Sequence, residues 1–240
     1  MLKNKALLLF VMVASFSYFL KADTMQHNTL TLKQQSTITI AAFTANGDLD
    51  KLKNALVSGL NVGLNVNEIK EICVHLYAYT GFPRSLNALN TFSTLLSERQ
   101  AQGIYDTIGE EATPLPANFN KNEYGAHTRA ELMGQKEILS PKGYQLFAPI
   151  IDTFLKEHLF ADIFVRDVLD HPTRELVTIS ALASMRGVDP QLQAHLAICL
   201  HVGWSKSQLE NFIDVLDKNV GNQEAKNAHD VFINVLTTHQ

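Results

Sequence analysis

The sequence repeats itself. Displaced by 140 residues with no gap, the stretch 32–92 faces the stretch 172–232. About 12 of the 61 facing pairs are identical, among them Gly47/Gly187, Gly63/Gly203 and Gly81/Gly221, with Leu52/Leu192, Leu56/Leu196 and Leu60/Leu200. Scattered identities at that level carry little weight. These fall on turn glycines and on leucines four residues apart, which is the spacing of one helix face. Such a chain is a tandem repeat of one helical unit, whose apolar stripes rarely close a core alone.

Each copy reads as helix, turn, helix, turn, helix. In the second copy His171-Pro172 opens a helix with proline in its first turn, where the missing N–H is an orphan anyway, and Gly187 is expected as a left-handed C-terminal cap. Asp189-Pro190 opens the next helix, which runs to His201. Ser205 and Gln208 form a capping box for the third, and Asn65 with Glu68 repeats that chemistry in the first copy. Between the copies, 101–122 contains Gly103, Gly109, Pro114 and Pro116 and is a loop or linker. Segments 123–139 and 141 to about 159 read as helices, the latter capped by Ser140, and 160–169 as a short docking piece, irregular or helical. Nothing in either copy alternates with the strand period. The expected fold is all-α, with a first repeat over 23–100, a linker and connecting helices over 101–165, and a second repeat over 166–240.

Residues 1–22 stand apart. Lys3 and Lys5 precede an uncharged run over 6–20, and Lys21-Ala22-Asp23 follows, which is the order of a secretory signal peptide. Those fifteen uncharged residues would span about 22 Å as a helix, short of the ~30 Å hydrocarbon core. The expectation is cleavage near Ala22, an exported, periplasmic protein, and no stable membrane anchor. Cleavage removes three lysines and no acid, so the formal charge moves from −4 to −7. An acidic mature chain without a basic stripe interleaved with aromatics argues against nucleic acid as a partner.

Two segments resemble a known family. The string His75-Leu76-Tyr77-Ala78-Tyr79-Thr80-Gly81-Phe82-Pro83, with Asn87-Ala88-Leu89 beyond it, resembles the end of the carboxymuconolactone decarboxylase domain. Arg174-Glu175-Leu176-Val177-Thr178, followed by Gln193-Ala194-His195-Leu196 and Val202-Gly203, is similar to the beginning of the same domain, and Phe160, Phe164, Arg166 and Asp170 to its lead-in. The resemblance covers most of 30–100 and 124–240 and implies a tandem-repeat member of the alkylhydroperoxidase D-like superfamily. The departures are complementary. Gln34-Gln35 stand opposite Arg174-Glu175 and Ala55 opposite His195, whereas Val215 stands opposite His75 and Asn222-Gln223 opposite Phe82-Pro83. Each copy has kept a different half of one polar set. The expectation is one composite pocket where the repeats meet, with His75, Glu175 and His195 catalytic, Arg174 an anion anchor and Tyr79 in contact with substrate.

The decarboxylase branch implies a small-molecule lyase that needs no cofactor. Loss of carbon dioxide from a carboxylated unsaturated lactone leaves electron density that delocalises into the lactone carbonyl, so a protein need only stabilise that oxygen and return a proton to carbon. A histidine suits the proton transfer, and Glu175 could orient it, hold its tautomer or relay the proton. Taken singly, the same residues have structural readings: Arg174 and Glu175 as first-turn surface charges, His195 as a buried hydrogen-bonded side chain, His75 as the partner of Glu71 or Tyr79 one turn away. The nine histidines show no tight ligand spacing, so no metal site is expected. The superfamily's other chemistry, thiol-dependent peroxide reduction, uses a Cys-x-x-Cys pair, and here Leu76 follows Cys73 and Val202 follows Cys199 at that spacing. A non-catalytic binding or assembly role is the third alternative. Family members resemble rings of six single domains, so a two-copy chain is expected as a homo-oligomer of three, with a small-molecule substrate as its other partner.

Overall fold

Polar caps set where the helices begin. Asn65 Oδ1 accepts from Glu68 N at 2.8 Å while the Glu68 carboxylate accepts from Asn65 N at 2.7 Å, and Ser205 and Gln208 repeat the exchange at 3.2 and 2.9 Å. Each such cap contributes about 1 kcal/mol. The computed structural model describes residues 29–116 and 118–238, among which no strand forms; the expected signal segment lies outside the described residues. The first repeat holds α1 (Leu32–Asn46), α2 (Leu49–Asn61) and α3 (Val66–Ala101). The connection holds α4 (Lys121–Leu132), α5 (Tyr144–Phe147), α6 (Pro149–Phe154) and a π-helical turn over Leu155–Ile163. The second repeat holds α7 (His171–Ala183), α8 (Asp189–His201), α9 (Lys206–Asn219) and α10 (Asn222–Thr238). No helix of the described residues is long and apolar enough to cross a membrane.

Each copy has four helical arms where three were expected. Gly81 breaks α3 with φ 75° and ψ 163°, a backbone that L side chains resist. Beyond it Ser85 Oγ donates to the Cys73 carbonyl at 2.7 Å. Twelve residues of straight helix would separate those groups by about 18 Å, so the chain reverses at the glycine. Its repeat partner Gly221 lies where α9 ends and α10 begins. Gly47 is the left-handed cap of α1, but α7 already ends at Ala183, and Gly187, with φ 77°, sits three residues past its Ser184 cap rather than forming it.

The repeats share their cores. Helix α1 packs along α7, α3 packs on α7, and reciprocally α9 packs on α1. One core gathers Leu52, Leu56, Ile69, Ile72, Leu76 and Phe92 from the first repeat and takes in Val177 and Ala181 of α7. The other gathers the second repeat around Leu192, Leu196 and Phe212 and takes in Leu30 and Ile38 from the first. Arg174 through Ala183 of α7 are all buried, so this helix has no solvent face over that length.

The connecting segment departs from expectation. The helix expected over 123–139 stops at Leu132, where Met133 and left-handed Gly134 turn the chain. The single helix expected from 141 breaks into α5, α6 and the π-turn, and Gly143 rather than Ser140 precedes it, with no side-chain cap. Pro149 explains the break, because it disfavours helical backbone in the residue before it, and Ala148 is non-helical at φ −135°, ψ 74°. Helix α4 lies directly on the π-turn at Gly125, where a Cβ would fall 1.8 Å from the Lys156 carbonyl oxygen. That close crossing seats Phe160 and Phe164 over the polar residues described next.

Candidate active site

Four segments supply the polar set. On α3, Glu71, His75 and Tyr79 follow one another at helical spacing; α7 brings Arg174, Glu175 and Thr178; α8 brings His195; the chain after the π-turn brings Phe164 and Arg166. The groups form a connected file. Glu71, almost fully buried, accepts from Arg174 Nη2 at 2.6 Å and from Arg166 Nη2 at 2.9 Å, and Arg166 Nε lies 3.0 Å from each of its oxygens. Arg174 Nη1 reaches His75 Nδ1 at 3.3 Å, and His75 Nε2 lies 2.8 Å from Thr178 Oγ1. The Thr178 hydroxyl donates to the Arg174 carbonyl, so the His75 ring must donate from Nε2 and accept at Nδ1. The Tyr79 ring stands 5.3 Å from the His75 ring and 5.6 Å from the His195 ring. His195 Nδ1 meets Glu175 Oε2 at 2.7 Å.

The five residues named from sequence therefore belong to one neighbourhood, contributed by both repeats. Their settings differ. His75, Arg174 and Glu175 are inaccessible to solvent, while the His195 side chain keeps 13% of its surface. Burial first, and then the Arg174 charge, hold His75 well below the usual histidine range, so it is neutral. Burial and the Glu175 charge push the Tyr79 phenol up, so it stays a hydrogen-bond donor. Arg174 is held by Glu71 and by the Arg166 carbonyl, which leaves only Nε without a partner among the described residues. Glu175 Oε1 and the Tyr79 hydroxyl also lack a partner among the described residues although both atoms are buried. Buried polar atoms of that kind are rare and mark places where a ligand or water completes the bonding.

The sequence names Arg166, Thr178 and Phe164 only within the segments of resemblance and gives them no role in the site. Glu71 was read as a partner for His75, but it serves the two arginines. The Phe164 ring closes the file, 5.4 Å from the His75 ring and 5.9 Å from the Arg174 guanidinium. A cavity of about 540 Å³ opens on α8, lined by Leu132, Met133, Ala194, Ala197, Ile198 and His201 among others; His195, Glu175 and Tyr79 are not part of its lining. The cysteines lie elsewhere: Cys73 in the first core and Cys199 in the second, both free and fully buried. Burial pushes the Cys73 thiol up to about 12, and burial with the Glu175 charge raises that of Cys199, so neither offers a thiolate near neutral pH.

Residues 13–93 and 150–232 each match the carboxymuconolactone decarboxylase family, together more than half of the chain. The chain is also 29% identical, over 90 residues, to the 4-carboxymuconolactone decarboxylase of Acinetobacter baylyi (strain ATCC 33305 / BD413 / ADP1). That stretch covers 37% of this chain and 66% of the relative, just under two thirds of its length.

Proposed function

Because the chain belongs to the carboxymuconolactone decarboxylase family, we propose that it is a cofactor-independent lyase that decarboxylates a small unsaturated carboxylated lactone or a related acid, with Glu175 and His195 as its proton-handling pair. The observation that carries this reading is the 2.7 Å bond between Glu175 and His195, made by a carboxylate whose other oxygen is buried without a partner among the described residues.

In the reaction the bond between the carboxylate carbon and the ring carbon breaks. Carbon dioxide leaves, and the electron pair stays on the substrate, delocalised onto the lactone oxygen. The Tyr79 hydroxyl, neutral and unpartnered among the described residues, donates to that oxygen as its charge grows. His195 in its protonated form then gives a proton to carbon. Glu175 Oε2 holds the proton on Nδ1, which directs Nε2 to the substrate, and its charge stabilises the imidazolium. Solvent replaces the proton through the accessible edge of the ring. His75 and Arg174, bonded on every side but one, act as positioning residues that lock α3 to α7.

The test is a screen of the purified protein for carbon dioxide release from carboxylated unsaturated lactones, repeated with His195→Ala, Glu175→Gln, Cys73→Ser and Cys199→Ser. Loss of the proton donor costs roughly 10² to 10⁴ in rate, while the cysteine variants stay near the parent value. Inactive cysteine variants beside active His195→Ala would overturn the reading.

Two further elements belong to it. Phe147, Ile150 and Phe154 of α5 and α6 are 92%, 61% and 56% exposed, apolar surface that supports a subunit contact, and the number three rests on the six-domain ring that the resemblance implies. Light scattering that returns a monomer at micromolar concentration would reject the trimer. Export to the periplasm after cleavage near Ala22 rests on the order of charge and apolar residues in 1–22, and N-terminal sequencing of native protein tests it.

A further inference from the structure

Exchanging the repeats carries the polar site to a second place in the fold. A shift of 140 residues takes Glu175 to Gln35, His195 to Ala55, Tyr79 to Asn219, His75 to Val215 and Thr178 to Ile38. The packing is reciprocal, and these five also converge. Ile38 and Val215 share the second core, an apolar pair where the first site has a hydrogen bond. Gln35, Ala55 and Asn219 line one cavity of about 420 Å³, which is within the range of small-ligand pockets.

The chemistry of this cavity differs from that of its twin in one respect: it has lost the carboxylate and the imidazole that form the proton-handling pair there. Gln35 cannot titrate, and its side chain is tied to the Leu30 carbonyl at 2.8 Å. Ala55 puts a methyl where an imidazole stands in the other copy. What remains suits binding. Lys51 is the charged residue of the lining and sits 5.7 Å from the Phe43 ring. Its partner Asp48, 3.3 Å away, is not part of the lining. Asn54 offers an amide donor, Asn219 keeps one N–H beside the one that its Nδ2 gives to the Val215 carbonyl at 3.0 Å, and Phe43 with Ala55 forms an apolar wall.

We propose that the cavity between α1, α2 and α9 is a second, non-reactive binding site for a small amphipathic carboxylate, the same class of molecule that the Glu175 site transforms. The statement about class rests on the lyase reading above. The carboxylate meets the Lys51 ammonium and the amide donors, and the unsaturated carbons lie against Phe43 and Ala55. With no carboxylate or imidazole in the lining to pass a proton to carbon, the molecule is held and released unchanged, so each chain binds two ligands and turns over one.

Sorbate, a small unsaturated monocarboxylate, serves as probe with the full chain labelled with ¹⁵N. Titration is expected to give saturable shifts at Ser36, Asn54 and Ser58, distinct from shifts around His195, with dissociation constants in the range of about 0.1–10 mM. Lys51→Glu should weaken the first set about tenfold, and Asn219→Trp, at an exposed position, should fill the cavity and abolish it, both without effect on the His195 set. Sorbamide, the neutral analogue, should bind the first set about tenfold more weakly than sorbate. Equal binding of sorbamide and sorbate, or unchanged binding to Lys51→Glu, overturns the proposal. Shifts confined to the His195 set also overturn it while leaving the lyase reading intact. Shifts confined to Ser36, Asn54 and Ser58 uphold the second site and count against the lyase reading instead, and silence at both counts against both.

Discussion

Thr178 Oγ1 lies 2.8 Å from His75 Nε2 across a chain separation of 103 residues, and this contact makes the histidine a neutral strut between the repeats. The ring gives its one proton to Thr178 and takes one from Arg174, so a second proton on Nδ1 would face a guanidinium in a site without solvent.

Acidification should therefore reveal His75. In the unfolded chain it titrates near 6.5, and in the fold well below that, so under pH 6.5 the unfolded state binds a proton that the folded state refuses. Stability falls as the pH drops through this range, by up to about 1.4 kcal/mol per pH unit from this group. His75→Asn, whose oxygen can still accept from Arg174, should flatten the slope of urea-melt stability between about pH 6.5 and 5 by one proton's worth. An unchanged slope would mean that His75 is not the neutral group described.

Glu71 holds two guanidinium groups, one of them without solvent access. Glu71→Ala leaves Arg174 charged and buried with only neutral acceptors, the Arg166 carbonyl and His75 Nδ1, and should cost about 3–5 kcal/mol in chemical denaturation. Adding Arg174→Met removes the orphaned charge, and the double variant should recover a large part of that loss. Additive losses would show that the pair is not coupled.

Gly125→Ala should destabilise the connecting segment, since the new methyl meets a backbone carbonyl that cannot rotate away. A loss of about 1–3 kcal/mol, read as a lowered melting temperature, is expected from that overlap. Because α4 packs on the π-turn that carries Phe160 and leads into Phe164, the activity should fall as well. A variant with parent-like stability would show that α4 does not press on the π-turn as described.

Asp152 should mark the acid limit of the same segment. Burial opposes its charge, but hydrogen bonds from Arg129, Gln145 and Lys156 prevail and hold its carboxyl at about 2. The sign follows from the depressed value. The stabilisation, roughly 2 kcal/mol, is complete above the unfolded value near 4 and disappears as the pH falls through about 2. Asp152→Asn should lose it at neutral pH and show correspondingly less change between pH 4 and 2 in thermal melts.

Helix starts and the repeat were legible because they are written locally: Asn65 with Glu68, Ser205 with Gln208, and leucines at four-residue spacing need no distant partner. His75, Tyr79, Arg174, Glu175 and His195 stood out through the family resemblance and, for all but Tyr79, through what each copy has kept and the other lost, and the fold gathers them. Thr178 did not stand out, because a threonine acquires a role only from the residue facing it, here one from the other repeat. Glu71 was visible but misassigned for the same reason, its partners Arg166 and Arg174 lying 95 and 103 residues away. The fragmented connection was the weakest reading. Pro149 carried the signal for the break, and the π-turn that follows depends on the contact at Gly125, which sequence spacing does not encode.

The sharing of α1 and α7 between both cores has a consequence in time. A ribosome makes the chain from one end, at about 5–20 residues per second, so α7 emerges roughly 7–28 seconds after α1. During that interval the first repeat has its caps and stripes but lacks Val177 and Ala181, the residues that complete its interior. It must wait, with apolar surface uncovered, until most of the polypeptide exists. Premature release or truncation before α7 should give an aggregating fragment rather than a smaller folded protein.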